Sequence, residues 1–403
     1  CGSMRTDTKS CRCFSKLKRC CPFMVTAVDP PICGDGDAAA GAPRECHEGA
    51  KARGKVPYCF FAVGDWGKNS EAVQHLADRM AKCAQRMQPQ MILALGDNFY
   101  PGGVTSVQDP LFKTVWEDIF LCHEELRVPW KVCLGNHDYY GCPEAQIDFT
   151  RCPLNPGGLW QCDGQNYTFT AELPDGGAVD FFALDTNGCQ ESVRRARPHL
   201  KEDLRHYIRD LDEKLRQSQA TWKVVFGHHP MYTKGVNHGR LGRCLRDDKY
   251  EVQTLSGERV CLPGYGLEKV LIANGVDAYF SGHEHLLQQH SCGGVGHFVC
   301  GASGAEAIGL YGGEDMQPRD SHPQWADGVS GNRAKTASQG FAVCVADSGC
   351  LTVAFLDVDG RVLRAVRSLA SQAGEWEVHS DPEAALNAAL ERNAMTFEHS
   401  YAN

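Results

Sequence analysis

The chain has no apolar run approaching the roughly 18 to 20 residues needed to cross a bilayer, so no membrane span is expected. It has no surplus of positive charge either: 41 Lys and Arg stand against 50 Asp and Glu, a net charge of −9. Without a basic field, nucleic acid and anionic membrane surfaces are poor partners. The 21 cysteines are scattered and form no CxxC pairs. That argues against zinc knuckles and favours disulfides in an oxidising compartment. No segment recurs at a fixed period, which argues against solenoids and propellers.

What the chain does have is ordinary globular material. Its 403 residues, 42% hydrophobic and 23% charged, suffice for one large domain or two smaller ones with a sizeable core. Residues 1–54 hold several cysteines, Pro30-Pro31 and a Gly/Ala/Asp stretch from Gly34 to Pro43, without apolar periodicity. They are expected to form an irregular, Cys-rich N-terminal extension. The catalytic domain is expected over 55–370, followed by a 371–403 tail with a short helix from Pro382 to Arg392. The chain opens on Cys1 rather than Met, so an earlier start is expected. Lys16, Lys18 and Arg19 precede a short apolar stretch broken by Pro22, a poor imitation of a signal-peptide core. With the cysteines and the Asn166-Tyr167-Thr168 acceptor sequon, it leads us to expect a glycoprotein of the secretory pathway, secreted or lysosomal/vacuolar.

From Val56 the texture becomes that of alternating strands and helices. Cys59–Val63, Met91–Leu95 and Trp130–Leu134 read as buried strands, with helices between them over Ala72–Met87 and Pro110–Leu126. Val179–Asp185, Lys223–Phe226 and Ala278–Ser281 continue the pattern around helices at Leu200–Gln217 and Tyr265–Ala273. Glycine-rich turns are expected after that, and the Gly340–Val345, Cys350–Leu356 and Val362–Val366 segments close the fold as antiparallel strands.

Five short motifs stand at the C-terminal ends of these strands: Gly64-Asp65, Gly96-Asp97-Asn98-Phe99-Tyr100, Gly135-Asn136-His137-Asp138, Gly227-His228-His229-Pro230 and Gly282-His283-Glu284-His285. Ligands of open α/β sheets bind outside those ends, so loops distant in sequence can converge there. Together the motifs supply carboxylates, a phenol, an amide and several imidazoles, enough for two adjacent metal ions. A shared carboxylate must bridge such a pair, and Asp97 stands centrally. Asp65 and Tyr100 are hard oxygen donors suited to trivalent iron, with His285 completing that side. Asn136, His228 and His283 would then hold a divalent ion together with Asp97. His283 and His285 lie two apart, which on an extended segment points both to one side.

The ordered set resembles the purple acid phosphatases, in particular the small tartrate-resistant type among the calcineurin-like metallophosphoesterases. The resemblance covers roughly residues 56 to 370. It implies a four-layered α/β/β/α sandwich of two mixed sheets flanked by helices, and a binuclear centre of Fe(III) plus divalent Fe, Zn or Mn. It also implies an acid phosphatase in which a metal-bound hydroxide attacks phosphate monoesters. Most other members of the superfamily open with Asp-x-His. Here Asp65-Trp66-Gly67 lacks that imidazole, and Tyr100 would replace it, its tyrosinate giving the family its colour.

His137 and His238 are the candidates for phosphate contact and general acid chemistry, although His137 could instead brace Asn136 and His238 could be an exposed loop residue. His229 is read as pocket wall, Asp138 as an acceptor for an imidazole, and Asp185 as structural. Trp66, Tyr139 and Tyr140 are candidates to line the opening, against the commoner role of buried packing. Leu241–Pro263 is an insertion relative to the small enzymes, and a Cys244–Cys261 disulfide would staple it as a rim loop. Phosphorylated small molecules or phosphoproteins are the expected substrates, and the chain is expected to act as a monomer. The competing readings are a phosphodiesterase or nucleotide pyrophosphatase of the same superfamily, and a catalytically inactive scaffold.

Overall fold

The computed structural model describes residues 57–235, 239–253, 256–304, 325–326, 338–372 and 374–395. The expected N-terminal extension, residues 1–54, and His238 lie outside the described residues. In chain order the first elements are β1 (Tyr58–Val63), α1 (Glu71–Met87), β2 (Met91–Leu95), β3 (Trp130–Cys133), α2 (Pro143–Phe149) and β4 (Trp160–Gln161). Next come β5 (Tyr167–Glu172), β6 (Ala178–Ala183), α3 (Glu191–Ala196), α4 (Leu200–Gln217), β7 (Trp222–Phe226) and α5 (Gly239–Arg246). They are followed by β8 (Lys249–Gln253), β9 (Arg259–Pro263), α6 (Leu267–Ala273), β10 (Ala278–Ser281), β11 (Leu287–Cys292) and β12 (Val295–Cys300). Last are β13 (Trp325–Ala326), β14 (Gly340–Ala346), β15 (Cys350–Asp357), β16 (Val362–Leu369), β17 (Trp376–Val378) and α7 (Pro382–Met395).

Two large mixed sheets result. The first runs β17-β16-β15-β14-β1-β2-β3-β4 and the second β13-β11-β12-β10-β7-β6-β5. Strands β1 to β4 are mutually parallel, as are β6, β7, β10 and β12, while β14 to β17 are antiparallel. Three apolar cores separate four layers. Val73, Leu76, Ala77 and Met80 of α1 pack on one face of the first sheet, with Leu386 and Ala389 of α7. Phe60, Leu93, Phe181, Val224, Phe280 and Phe298 meet between the sheets. Leu204, Ile208, Leu211 and Leu215 of α4 and Leu267 and Leu271 of α6 cover the other face of the second. This is the α/β/β/α sandwich. The parallel strands read as continuous apolar runs because both of their faces are covered.

Several elements differ from the sequence expectation. The helix expected over Pro110–Leu126 is a wide turn at Phe112–Glu117, with Asp118 N–H donating to the Lys113 carbonyl five residues back, then a single tight turn at Glu124–Leu126. Crowded aromatics set this geometry: Phe112 stacks on Phe149 at 3.7 Å and Trp116 packs edge-on against Trp160 at 5.1 Å. The turns expected after the fifth motif contain the β11–β12 hairpin, whose buried Gln288, Gln289, His290 and His297 disguise any apolar alternation. Residues taken for a tail supply β17, which pairs with β16, while the helix expected there from Pro382 is present as α7. The insertion forms α5 and the separate β8–β9 hairpin. Among the described residues the cysteines are free thiols, Cys244 buried and Cys261 exposed, so no Cys244–Cys261 staple is present.

Candidate metal centre

The five loops meet where the sheets' parallel strands end. Backbone hydrogen bonds tie them to one another: Gly64 N–H donates to Cys300 O (2.9 Å), Asp65 N–H to Gly96 O (3.1 Å) and Gly282 N–H to His228 O (2.9 Å). Of the non-glycine residues with positive φ among the described residues, three are candidate ligands: Asp65 (61°), Asp97 (52°) and His283 (68°). The fourth, Gln88, merely caps α1. Left-handed backbone costs an L-residue on the order of 1 kcal/mol or more and persists where the surroundings enforce it. Here His283 N–H donates to Asp65 Oδ2 (2.7 Å), and His137 N–H to Asp97 Oδ1 (2.8 Å). Gly135 must be glycine: a Cβ there would fall 2.2 Å from Asp97 N and Oδ1.

The seven candidate ligands come together as two sets that share Asp97. Tyr100 Oη donates to Asp65 Oδ1 and to Asp97 Oδ2, both at 3.0 Å, and lies 3.3 Å from His285 Nε2. His285 Nε2 is 3.4 Å from Asp65 Oδ1. On the other side, His228 Nε2 lies 3.4 Å from Asp97 Oδ1, 3.2 Å from Asn136 Oδ1 and 3.1 Å from His283 Nδ1. Each oxygen of Asp97 therefore faces a different set. His228 Nδ1 sits 2.8 Å from the Leu95 carbonyl. A carbonyl only accepts, so Nδ1 is a donor there and Nε2 is the nitrogen turned towards the cluster.

Electrostatics show what this cluster needs. Asp65 and Asp97 are buried, and among the described residues no Lys or Arg pairs with either. Burial alone would raise Asp97, but His228 and then His137 outweigh it and hold the carboxyl well below the usual range. Burial likewise depresses His228, yet Asp97 and Asp65 push it up to about 9. Burial and both carboxylates drive the Tyr100 phenol far above its ordinary value. Buried carboxylates demand compensating positive charge. A set of carboxylate, phenol, amide and imidazole donors fits that charge being metal ions.

The remaining predicted residues separate. His137 is partly exposed, at 30% of its side chain, with Nε2 4.0 Å from Asp97 Oδ2. Its Nδ1 is 2.6 Å from the Pro101 carbonyl, so Nδ1 is the donor and Nε2 is left for chemistry. Asp138 does not accept from an imidazole. It takes Gly135 N–H (2.7 Å), Asn98 N–H (3.1 Å) and Gln146 Nε2 (2.9 Å), locking the second and third loops together. Burial and neighbouring Asp97 push its carboxyl up to about 7. Asp185 accepts from Asn187 N–H (2.8 Å) and from the Tyr139 hydroxyl. Trp66 and Tyr139 are buried, whereas Tyr140 is exposed.

His229 lies beside the cluster. Its ring lies 4.5 Å from that of His283, and ring nitrogens of His228, His229 and His283 all fall within 4.8 Å of one another. Its Nδ1 is 2.7 Å from Thr186 Oγ1. The His228-His229 doublet is the signal in the sequence. Next to a residue already assigned as a ligand, it offers no second position to fill.

Comparison with known proteins identifies the family. The sequence model of the calcineurin-like phosphoesterases matches residues 60–287, which defines the class. The chain is 32% identical over 260 residues to purple acid phosphatase 7 of Arabidopsis thaliana, covering 62% of this chain and 70% of that one. It is also 32% identical over 266 residues to tartrate-resistant acid phosphatase type 5 of Oryctolagus cuniculus, covering 62% and 74%. Across three Arabidopsis thaliana relatives the match spans 70%, 66% and 58% of their own length. The chain belongs to the purple acid phosphatase family. GAP50, the anchor in the inner membrane complex of Plasmodium, shares the fold with a TM-score of 0.61 at 20% identity, covering 83% of this chain and 95% of that one. No helix among the described residues is long and apolar enough to cross a membrane.

Proposed function

We propose that the chain is an acid phosphatase that hydrolyses phosphate monoesters at a binuclear centre of Fe(III) and divalent Fe, Zn or Mn. Asp65, Asp97, Tyr100 and His285 would hold the trivalent ion, and Asp97, Asn136, His228 and His283 the divalent one. The observation that carries this reading is Asp97, with Oδ2 turned to Tyr100 and Oδ1 to His228. When bound, the ions would supply Lewis acidity to the phosphoryl oxygens and lower the pKa of the attacking water.

The protein's own groups do the rest. Water gives up a proton to solvent as its oxygen bonds to phosphorus, the ester P–O bond breaks, and the departing alkoxide or phenoxide takes up a proton. His137 gives it from Nε2 when the ring is an imidazolium, and the neutral ring left behind keeps its remaining proton on Nδ1, held by the Pro101 carbonyl. The Tyr100 ring lies 4.4 Å from the imidazole and keeps it over the cluster. His238 remains a second candidate donor. The substrates would be phosphorylated small molecules or phosphoproteins.

The test is a visible absorption spectrum with metal analysis on protein purified without chelator, beside Tyr100→Phe. A broad visible band lost in the variant, with iron among two metals per chain, supports the reading. A colourless protein with two zinc or manganese ions and activity on diesters or pyrophosphates would replace it with the phosphodiesterase reading. Absence of bound metal and activity would favour the scaffold.

A further inference from the structure

Tyr140 is the one aromatic of this region that the site does not absorb. The residue is 49% exposed although it follows buried Tyr139 by a single position. A lone exposed aromatic is ordinary on a protein surface. Tyr140 is set apart by how it is held and by what it adjoins.

The turn beneath it is fixed from several directions. Cys142 N–H donates to Val104 O (2.7 Å), and Arg197, paired with Glu144 at 2.8 Å, donates to Gly141 O (3.2 Å). A Cβ on Gly141 would lie 2.5 Å from the carbonyls of Gly102 and Val104, so the backbone there is closely packed. The Tyr140 hydroxyl lies 3.0 Å from Ser192 Oγ, on α3. The side chain thus bridges a loop of the first sheet to a helix that follows a strand of the second. An exposed ring tied at both ends has already lost its rotational freedom, which is the ordering cost a ligand would otherwise meet.

Tyr140 also ends a series of contacting rings that starts at the cluster. The Tyr100 hydroxyl touches Asp65 and Asp97, its ring lies 4.4 Å from His137, and the His137 ring lies 5.2 Å from Tyr140 in an edge arrangement. Exposure rises outward from the buried carboxylates through half-buried His137 to Tyr140. On the exposed side of His137, the Tyr140 ring is the aromatic that a leaving group protonated there would have beside it.

We propose that Tyr140 is a specificity-determining residue, a pre-ordered platform that favours phosphate monoesters whose leaving group carries a planar aromatic ring. The proposal rests on the monoester reading above. An aromatic pair is favoured by offset or edge contact beyond its buried area, which corresponds to a selectivity of about 2- to 13-fold.

The test compares kcat/KM for phenyl phosphate and adenosine 5′-monophosphate with that for glycerol 2-phosphate, in the full chain and in Tyr140→Ala and Tyr140→Phe. The aromatic-to-glycerol ratio should fall about 2- to 13-fold in Tyr140→Ala and by less in Tyr140→Phe, which keeps the ring but loses the Ser192 contact. A fall for phenyl phosphate alone assigns the platform to phenols, and one for the nucleotide alone assigns it to nucleosides. An unchanged ratio in Tyr140→Ala overturns the proposal. Binding of phenylphosphonate against methylphosphonate, followed by titration calorimetry, separates the two readings. If no monoester is turned over, the monoester reading falls. The platform then stands only if the phenyl compound binds more tightly and Tyr140→Ala abolishes the difference.

Discussion

At the scale of single residues, Asp97 concentrates the chemistry. It sits at the end of β2 with φ of 52°, is 2% exposed, and receives Tyr100 on one oxygen and His228 and His137 N–H on the other. Asp97→Asn keeps the shape but removes the charge and turns one acceptor into a donor, which meets either the Tyr100 side or the His228 side. Metal content should fall from two ions per chain to one or none, and kcat by about 100-fold or more. Elemental analysis beside turnover of a phosphate monoester checks both. Retention of two ions in the variant would show that Asp97 is not the shared carboxylate. Asp97 is legible in the sequence because Gly-Asp ending an apolar run is a local pattern. The closeness of His229 to His283 is not, because it depends on how the fourth and fifth loops fold towards each other.

At the scale of elements, the β11–β12 hairpin has the least expected interior. His290 and His297 face each other across the strands, both essentially buried. His290 Nε2 lies 3.1 Å from Gln288 Oε1, while neither nitrogen of His297 has a hydrogen-bond partner. The surroundings are Tyr232 at 4.8 Å and Tyr279 at 5.9 Å from the His297 ring, with Arg246 and Lys234 as the nearby cations. Burial first, and then Lys234 for His290 or His290 and Arg246 for His297, lower both imidazoles to about 3. The native state therefore stays unprotonated where the unfolded chain takes up protons, below about pH 6.5. Stability is full above that value and falls as the pH drops towards 3, by about 1.4 kcal/mol per pH unit for each imidazole. His297→Phe removes one such group together with its unpaired nitrogens. It should flatten the acid limb of a Tm-against-pH curve between pH 6 and about 4, with little or no loss of Tm at pH 7. An acid limb as steep as that of the unaltered chain would refute the assignment. The same polar interior explains why this hairpin escapes a reading by periodicity. β1, β2, β7 and β10 announce themselves as apolar runs, whereas β11 buries Gln288, Gln289 and His290 in succession.

At the scale of the whole molecule, the donors come from both sheets. Asp65, Asp97, Tyr100 and Asn136 follow strands of the first, and His228, His283 and His285 follow strands of the second. The sheets are otherwise joined by the apolar layer between them, built on residues such as Phe60, Phe181 and Phe298. That layer needs no ion. At the strand ends, where apolar packing gives way to buried carboxylates and imidazoles, metal ions would clasp one sheet to the other. Chelation should then leave the fold intact but easier to unfold. A ligand present at 100 times its Kd stabilises by about 2.7 kcal/mol. For a domain of this size its removal lowers Tm on the order of 5 °C. Re-addition of iron with zinc or manganese should restore the lost degrees, and Asp97→Asn should respond less to both treatments. The loss should also be local: amide exchange should quicken in the loops after β1, β2, β3, β7 and β10 while β15 and α4, which carry no donor, keep their protection. Uniform quickening across both sheets would mean instead that the ions hold the whole sandwich together, and that its three apolar cores are insufficient without them.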